Sequence, residues 1–322
     1  MDFTTREQFE CTIFFERSFV KHKETGCTMK LGKKWGDPGA IVYLLPAMAP
    51  LTVFWLAPMA YIVYLSLTDW DFMSPVKTFV GLDNYAYLFE DPAFRQSLRA
   101  TLIFALGSVL PAMAGGLMLA LLLHGNVNGS GLYRAVLFSP WVTPAVAVSI
   151  VWSWIFEPRA GLANALLEAV RLEGLPWLES RTWAMVAILI VTVWKGVGWT
   201  MVFYLAALRN VPAVLLEAAA IDGAGKIRSF RHVTLPLLSP TTFFLFIVLV
   251  IDSMQAYDHI HVLTQGGPSG ATRTLLYLYY QAAFERFNVG EASAVAVTLV
   301  AITAALSVCS FRLSRGKVHH LS

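Results

Sequence analysis

Residues 100–124 read ATLIFALGSVLPAMAGGLMLALLLH, from Ala100 to His124, without one Asp, Glu, Lys or Arg. A helix advances about 1.5 Å per residue, so roughly 20 consecutive apolar residues cross a hydrocarbon core about 30 Å thick. Outward from this stretch, five more of the same kind lie at about 40–67, 135–156, 182–208, 236–263 and 289–311. The composition agrees: 57% of the residues are hydrophobic and 14% charged, against about 25% charged in soluble domains. The mean hydropathy is +0.59. A soluble protein is excluded, and a polytopic membrane protein is expected.

Lipid offers the backbone no hydrogen-bond partner, so a spanning segment must pair its own N–H and C=O groups. Helices do this, and the sequence predicts an all-α membrane protein with six transmembrane helices. Basic residues mark the cytoplasmic side. Arg6, Arg17, Lys21, Lys23, Lys30, Lys33 and Lys34 precede the first stretch, and Arg134, Arg209, Lys226, Arg228, Arg231, Arg312, Arg315 and Lys317 fall on the same side. The opposite side holds fewer: Lys77, Arg95, Arg99, Arg159, Arg171, Arg181, Arg273 and Arg286. Both termini are therefore expected in the cytoplasm. Residues 1–39 form an N-terminal segment whose apolar patches are broken by Glu10, Glu16, Arg17 and Lys21, unlike a cleavable signal. Met29-Lys30 followed by Lys33 and Lys34 reads as a short basic start, so Met1 and Met29 both stand as starts. The net charge of +3 is too small to indicate a nucleic-acid partner. Cys11, Cys27 and Cys309 have neither metal nor redox spacing.

Between the fourth and fifth stretches, residues 209–235 carry Pro212, a Leu-Glu-Ala-Ala-Ala run at 216–220 and Asp222-Gly223. Proline at a helix start, residues of high helix propensity and a turn dipeptide predict a helix, a glycine bend and a second helix. The small alanines allow close approach of a partner, and Glu217 offers it a carboxylate. On physical grounds an amphipathic connector on the membrane surface fits as well as a docking element.

The string Glu217-Ala218-Ala219-Ala220-Ile221-Asp222-Gly223-Ala224, followed by Val233-Thr234-Leu235-Pro236, resembles the EAA loop of bacterial binding-protein-dependent ABC importer permeases; the usual loop has isoleucine in place of Val233. Phe79 to Tyr85, Arg134 to Trp154 with Pro140 and Pro144, and Leu263 to Pro268 running on to Thr272 are similar to its carbohydrate-uptake branch, which includes maltose-type and glycerol-3-phosphate-type permeases. The resemblance covers about 40–315 and leaves out 1–39 and the tail 316–322. It implies a type I ABC importer permease fold in the cell inner membrane. The loop would be the coupling helix that docks on an ATPase subunit, with Glu217, Ala218, Ala219, Asp222, Gly223 and Ala224 at the contact. The implied partners are a second homologous permease, two copies of a cytoplasmic ATPase subunit and an extracytoplasmic solute-binding protein.

No nucleotide site is expected in this chain. A P-loop needs Gly-x-x-x-x-Gly-Lys-[Ser/Thr], whereas Gly225-Lys226 is followed by Ile227 and position 220 is alanine. No zinc motif, nucleophile elbow or cysteine ligand run is present either. The reading is a transporter subunit and not an enzyme, with no cofactor of its own; ATP and Mg would be used by the partner ATPase.

An ionisable group at the centre of a span costs about 2.5 to 3.5 kcal/mol and marks a functional candidate. Lys195 is the deepest, with Asp252 and Asp258 as opposite charges for pairing; snorkelling to an interface is the alternative. Thr192, Gly196 and Trp199 share one helix face, a mixture of hydroxyl, open backbone and aromatic ring that suits sugars. By position the family resemblance implies Thr192, Gly196, Trp199, Met254, Gln255, Tyr257 and Asp258 as substrate contacts, to which Lys195 is added. Close helix packing is the other reading of Gly196 and Gly198. Most remaining aromatics read as interface belts or core, with Trp141 and Tyr204 the two that tempt a ligand role. Two rival functions stay open: an ion-coupled secondary carrier using Lys195, Asp252 and Asp258, and a non-transporting membrane scaffold.

Overall fold

The computed structural model describes residues 38–125 and 128–314. Residues 1–37 of the expected N-terminal segment, with Cys11 and Cys27, and the tail 316–322 lie outside them. The chain divides into two units, 1–57 and 58–322. In the first, α1 (Pro38–Leu51) holds Pro46 and Pro50 and widens into a π-helical turn at Thr52–Leu56. Each internal proline removes one helical hydrogen bond, and the widened turn follows the second.

α2 (Ala57–Leu65), in the second unit from Pro58 on, leads to a two-stranded antiparallel ribbon, β1 (Thr68–Asp69) and β2 (Thr78–Phe79), with Thr68 opposite Phe79 and Asp69 opposite Thr78. Asn84 Nδ2 pins it by donating to the carbonyls of Ser66 and Thr68, each at 2.9 Å. The ribbon lies between the first two apolar stretches, outside the part expected to be all-α, and two-residue strands are too short to show an alternating pattern.

Then follow α3 (Asp83–Glu90), α4 (Pro92–Leu123), α5 (Ser130–Val142), α6 (Ala145–Ile155), α7 (Leu162–Ala169) and α8 (Arg181–Arg209). Next come α9 (Ala213–Ile221), α10 (Lys226–Leu237), α11 (Ser239–Met254), α12 (Asp258–Leu263), α13 (Leu275–Tyr280) and α14 (Val289–Ser314). Among the described residues four helical stretches are long and apolar enough to cross a membrane: Tyr43–Leu65, α4, α8 and Val289–Arg312 of α14. Two bent pairs raise the number to six, α5 with α6 at 96° and α10 with α11 at 62°.

Two expected spans are thus not single straight helices. The stretch 135–156 breaks at Thr143-Pro144, because a proline forces the residue before it into extended backbone; Thr143 has φ −70° and ψ 136°. The stretch expected at 236–263 ends its helix at Met254. Gln255 and Tyr257 leave helical geometry and α12 is separate.

α4 starts where Asp91 accepts a hydrogen bond from the Ala93 N–H at 2.8 Å, with Pro92 in the first turn. It packs along α8 through small residues. A Cβ on Gly116 would fall 2.0 Å from Thr200 Oγ1, and that hydroxyl donates to the Ala112 carbonyl at 2.8 Å. Close approach of this kind drives helix association where lipid removes the hydrophobic force.

The linker after α6 is organised by Asn164. Its Nδ2 donates to the carbonyls of Pro158 and Leu175, and its Oδ1 accepts from the Leu175 N–H and Trp177 Nε1, all within 3.0 Å. Asn164→Ala is expected to destabilise the fold by about 2–5 kcal/mol, since it strands buried donors and acceptors. Thermal unfolding of the detergent-solubilised chain checks it; an unchanged midpoint refutes this role.

Candidate functional site

A cavity of about 290 Å³ lies among α4, α5, α6, α8, α11 and α12. α4 contributes Phe104, Ser108, Val109 and Ala112, the α5–α6 break Trp141 and Ala145, and α8 Thr192, Lys195 and Gly196. The unwound end of α11 and the start of α12 supply Asp252, Ser253, Gln255, Tyr257, Asp258 and His259. Helix ends and broken backbone facing a cavity are how a membrane protein exposes polar groups without exposing them to lipid.

Six of the residues nominated from the sequence line this cavity: Thr192, Lys195, Gly196, Gln255, Tyr257 and Asp258. Two do not. Met254 is 1% exposed and packs with Leu88, Phe94 and Leu275. The helix ends at Met254 and Gln255 leaves helical geometry, so Gln255 turns to the cavity while Met254 keeps its place on the packed side of α11. Trp199 lies further along α8 and stacks on Trp141 at 5.3 Å between ring centroids, backing the wall that Trp141 forms. Of the two tempting aromatics, Trp141 therefore faces the cavity, whereas Tyr204 is 1% exposed in the core.

Lys195 reaches the cavity wall, but its ammonium forms no ion pair with Asp252 or Asp258; among the described residues the ion pair is Arg286 with Glu291 at 2.7 Å. Lys195 Nζ instead donates to the carbonyls of Pro140, Trp141 and Thr143. Both aspartates are exposed and line the cavity.

His259 was missed in the sequence. Its Nδ1 lies 2.7 Å from Ser149 Oγ on α6, so the pair ties α12 to α6 at the wall. The residues are 110 positions apart, and no local pattern marks either one. Behind Tyr257 stand Tyr280 and Tyr277, with ring centroids 5.0 and 5.9 Å away. These rings give the wall an aromatic backing with polar rims.

On the other side of the cavity-lining stretch α8 runs to Arg209, and Asn210 to Pro212 lead into α9. No residue of α9 is buried. Glu217, Ala218, Asp222 and Gly223 are exposed, as are Ile221 at 87% and Ile227 at 84%; Ala219 and Ala224 are partly covered. The turn has a defined cause. The Ala224 N–H donates to the Ala219 carbonyl and the Gly223 N–H to that of Ala220, the two bonds of a Schellman cap, with Gly223 at φ +76°. Lys226, Arg228, Arg231 and His232 then crowd one shallow pocket on α10. The helix, bend and helix read from the sequence are present, the second helix running on to Leu237.

On the loop before α13, Gln96 Nε2 and Arg181 Nη2 both donate to the Ser269 carbonyl, at 2.8 and 3.2 Å. Burial lowers the pKa of the neighbouring Arg273 guanidinium from its ordinary value, and the charge of Asp91 opposes that shift.

Residues 112–316 match the family model described as binding-protein-dependent transport system inner membrane component. The probable ABC transporter permease protein YurN of Bacillus subtilis (strain 168) is 35% identical over 275 residues, 84% of this chain and 94% of that one. The sn-glycerol-3-phosphate transport system permease protein UgpA of Brucella abortus biovar 1 (strain 9-941) is 36% identical over 281 residues, 86% of this chain and 94% of its own. In backbone the chain is similar to a bacterial ABC transporter involved in the import of the acidic polysaccharide alginate. The TM-score is 0.75 at 20% identity, covering 88% of this chain and 97% of that one, a likeness of fold. With a family match across more than half of its length and relatives at this identity over nearly all of theirs, the chain belongs to the binding-protein-dependent transport system inner membrane components.

Proposed function

We propose that the chain is one permease subunit of an ATP-driven importer for sugars, related polyols or glycerol-3-phosphate, delivered by an extracytoplasmic binding protein. It crosses the inner membrane six times, counting each bent pair as one span, with both termini in the cytoplasm. It pairs with a second homologous permease and with two ATPase subunits, which use ATP and Mg. The observation that carries this reading is α8 itself: its middle lines a polar and aromatic cavity and its end runs directly into an exposed, capped helical hairpin. One rigid element thus joins a place for a hydroxylated solute to a place for a cytoplasmic partner. In this reading Glu217, Ala218, Ala219, Asp222, Gly223 and Ala224 meet the ATPase. Thr192, Gly196, Gln255, Tyr257 and Asp258 meet the solute, with Asp258 accepting from hydroxyls and Tyr257 offering a ring face. Transport is alternating access, in which ATP and the loaded binding protein favour the same packing of the helices.

The test is uptake of labelled sugars, polyols and glycerol-3-phosphate into proteoliposomes holding the chain with its co-purifying subunits and binding protein. Uptake that disappears when either ATP or binding protein is withheld is the expected result, and it names the solute. Uptake by the chain alone that collapses with an ionophore would make it an ion-coupled carrier instead. A complex with no substrate-stimulated ATPase and no uptake would leave only a scaffold.

A further inference from the structure

Three carbonyl oxygens at the break between α5 and α6 converge on one ammonium. Lys195 Nζ donates to Pro140 at 3.1 Å, Trp141 at 2.9 Å and Thr143 at 2.7 Å, which occupies all of its protons. The need for it is local. In an unbroken helix the Pro140 carbonyl would receive the N–H of residue 144, and Pro144 has none. The last carbonyls of α5 also form the negative end of its dipole, which a cation stabilises. Residues 135–156 contain no lysine or arginine, so the cation must come from another helix.

It comes from α8, about one turn from a close backbone contact between the two helices. A Cβ on Gly198 would lie 1.9 Å from the Leu137 carbonyl oxygen. α8 therefore holds the end of α5 twice, by backbone contact at Gly198 and by hydrogen bonds at Lys195. Beyond the break α6 reaches the cavity through Ala145 and is bonded to His259 through Ser149. In the other direction α8 leads into the cytoplasmic hairpin.

We propose that Lys195 is a positioning residue: it clamps the α5–α6 break to α8, so that movement of the hairpin reaches the cavity wall through α8, the three carbonyls and α6. Its ammonium is committed to backbone and does not bind the solute. This role rests on the importer reading above.

The test uses the whole complex, with partner permease, ATPase and binding protein, in proteoliposomes. Two quantities are read for Lys195→Met and Lys195→Arg: solute moved per ATP hydrolysed, and the solute concentration giving half-maximal uptake. Lys195→Met is expected to lower solute per ATP at least tenfold with little change in half-saturation, and Lys195→Arg, which keeps a cation and its donors, to stay within about threefold of the native complex. A tenfold rise in half-saturation with solute per ATP unchanged would make Lys195 a solute ligand and overturn the proposal. No change in either quantity would overturn it too. If Lys195→Met fails to assemble, Lys195→Gln replaces it; it retains two donors, and a severalfold loss of solute per ATP is expected, an unchanged ratio being contrary. A native complex with no ATP-dependent uptake would remove the importer reading, and this role with it.

Discussion

Lysine in place of Glu217 is expected to abolish ATP-driven uptake while leaving the chain folded. Glu217 is exposed in the middle of α9, a helix with no buried residue, and among the described residues it is in no ion pair. The fold should therefore survive, and thermal unfolding of the variant should match the native chain within the roughly 0.5 kcal/mol typical of surface substitutions. The proposed docked state is different. A carboxylate enclosed by a partner's basic groups becomes, on reversal, a buried like-charge contact, and losing such a pair costs about 2–5 kcal/mol, or roughly 30-fold and more in affinity. ATPase subunits should no longer co-purify with the variant at native stoichiometry, and uptake should fall at least tenfold. Full ATP-dependent uptake by the variant in an assembled complex would mean that this hairpin does not couple.

Gly198→Ala is expected to be the most damaging single methyl group in the membrane part. Its Cβ would stand 1.9 Å from the Leu137 carbonyl oxygen, 2.7 Å from the Leu137 carbonyl carbon and 3.0 Å from Phe138 Cα. These are backbone atoms, which cannot turn aside as a side chain can, so α5 would have to leave α8. Ordinary overpacking costs about 1–3 kcal/mol; here the same shift also pulls the α5 carbonyls from Lys195, and a loss above about 3 kcal/mol is expected. Gly196→Ala is the control. Its Cβ would meet only the Ala112 Cβ, at an ordinary 3.6 Å, and in a helix alanine is favoured over glycine by about 0.5–1 kcal/mol. Membrane-inserted yield and thermal midpoint should fall sharply for Gly198→Ala and hold or rise for Gly196→Ala. Equal behaviour of the two would refute the packing argument. The two glycines, which the sequence offered together for close packing, thus part ways: Gly198 is the packing contact and Gly196 borders the cavity.

By itself the sequence determined the class of the protein, its apolar stretches and the hairpin. Each of these is a local property: uncharged length decides what can enter lipid, and Pro212, the alanine run and Asp222-Gly223 set helix start, body and cap within a dozen residues. It also carried the family resemblance and part of the cavity wall, because Thr192 and Gly196 follow from helical spacing. Only the tertiary structure decided how two of the stretches bend, since proline shows where a helix weakens but not through what angle its neighbours will hold it. The same holds for Lys195. Read along the chain it is a buried charge in want of an acid; in the fold its partners are three carbonyls more than 50 residues away, at a break where Pro144 leaves the first of them, that of Pro140, without its helical donor. Met254 and His259 exchanged expectations for a related reason. Which side of a helix end faces the cavity depends on where the helix unwinds, and the packing of α11 and α12 against other helices sets that.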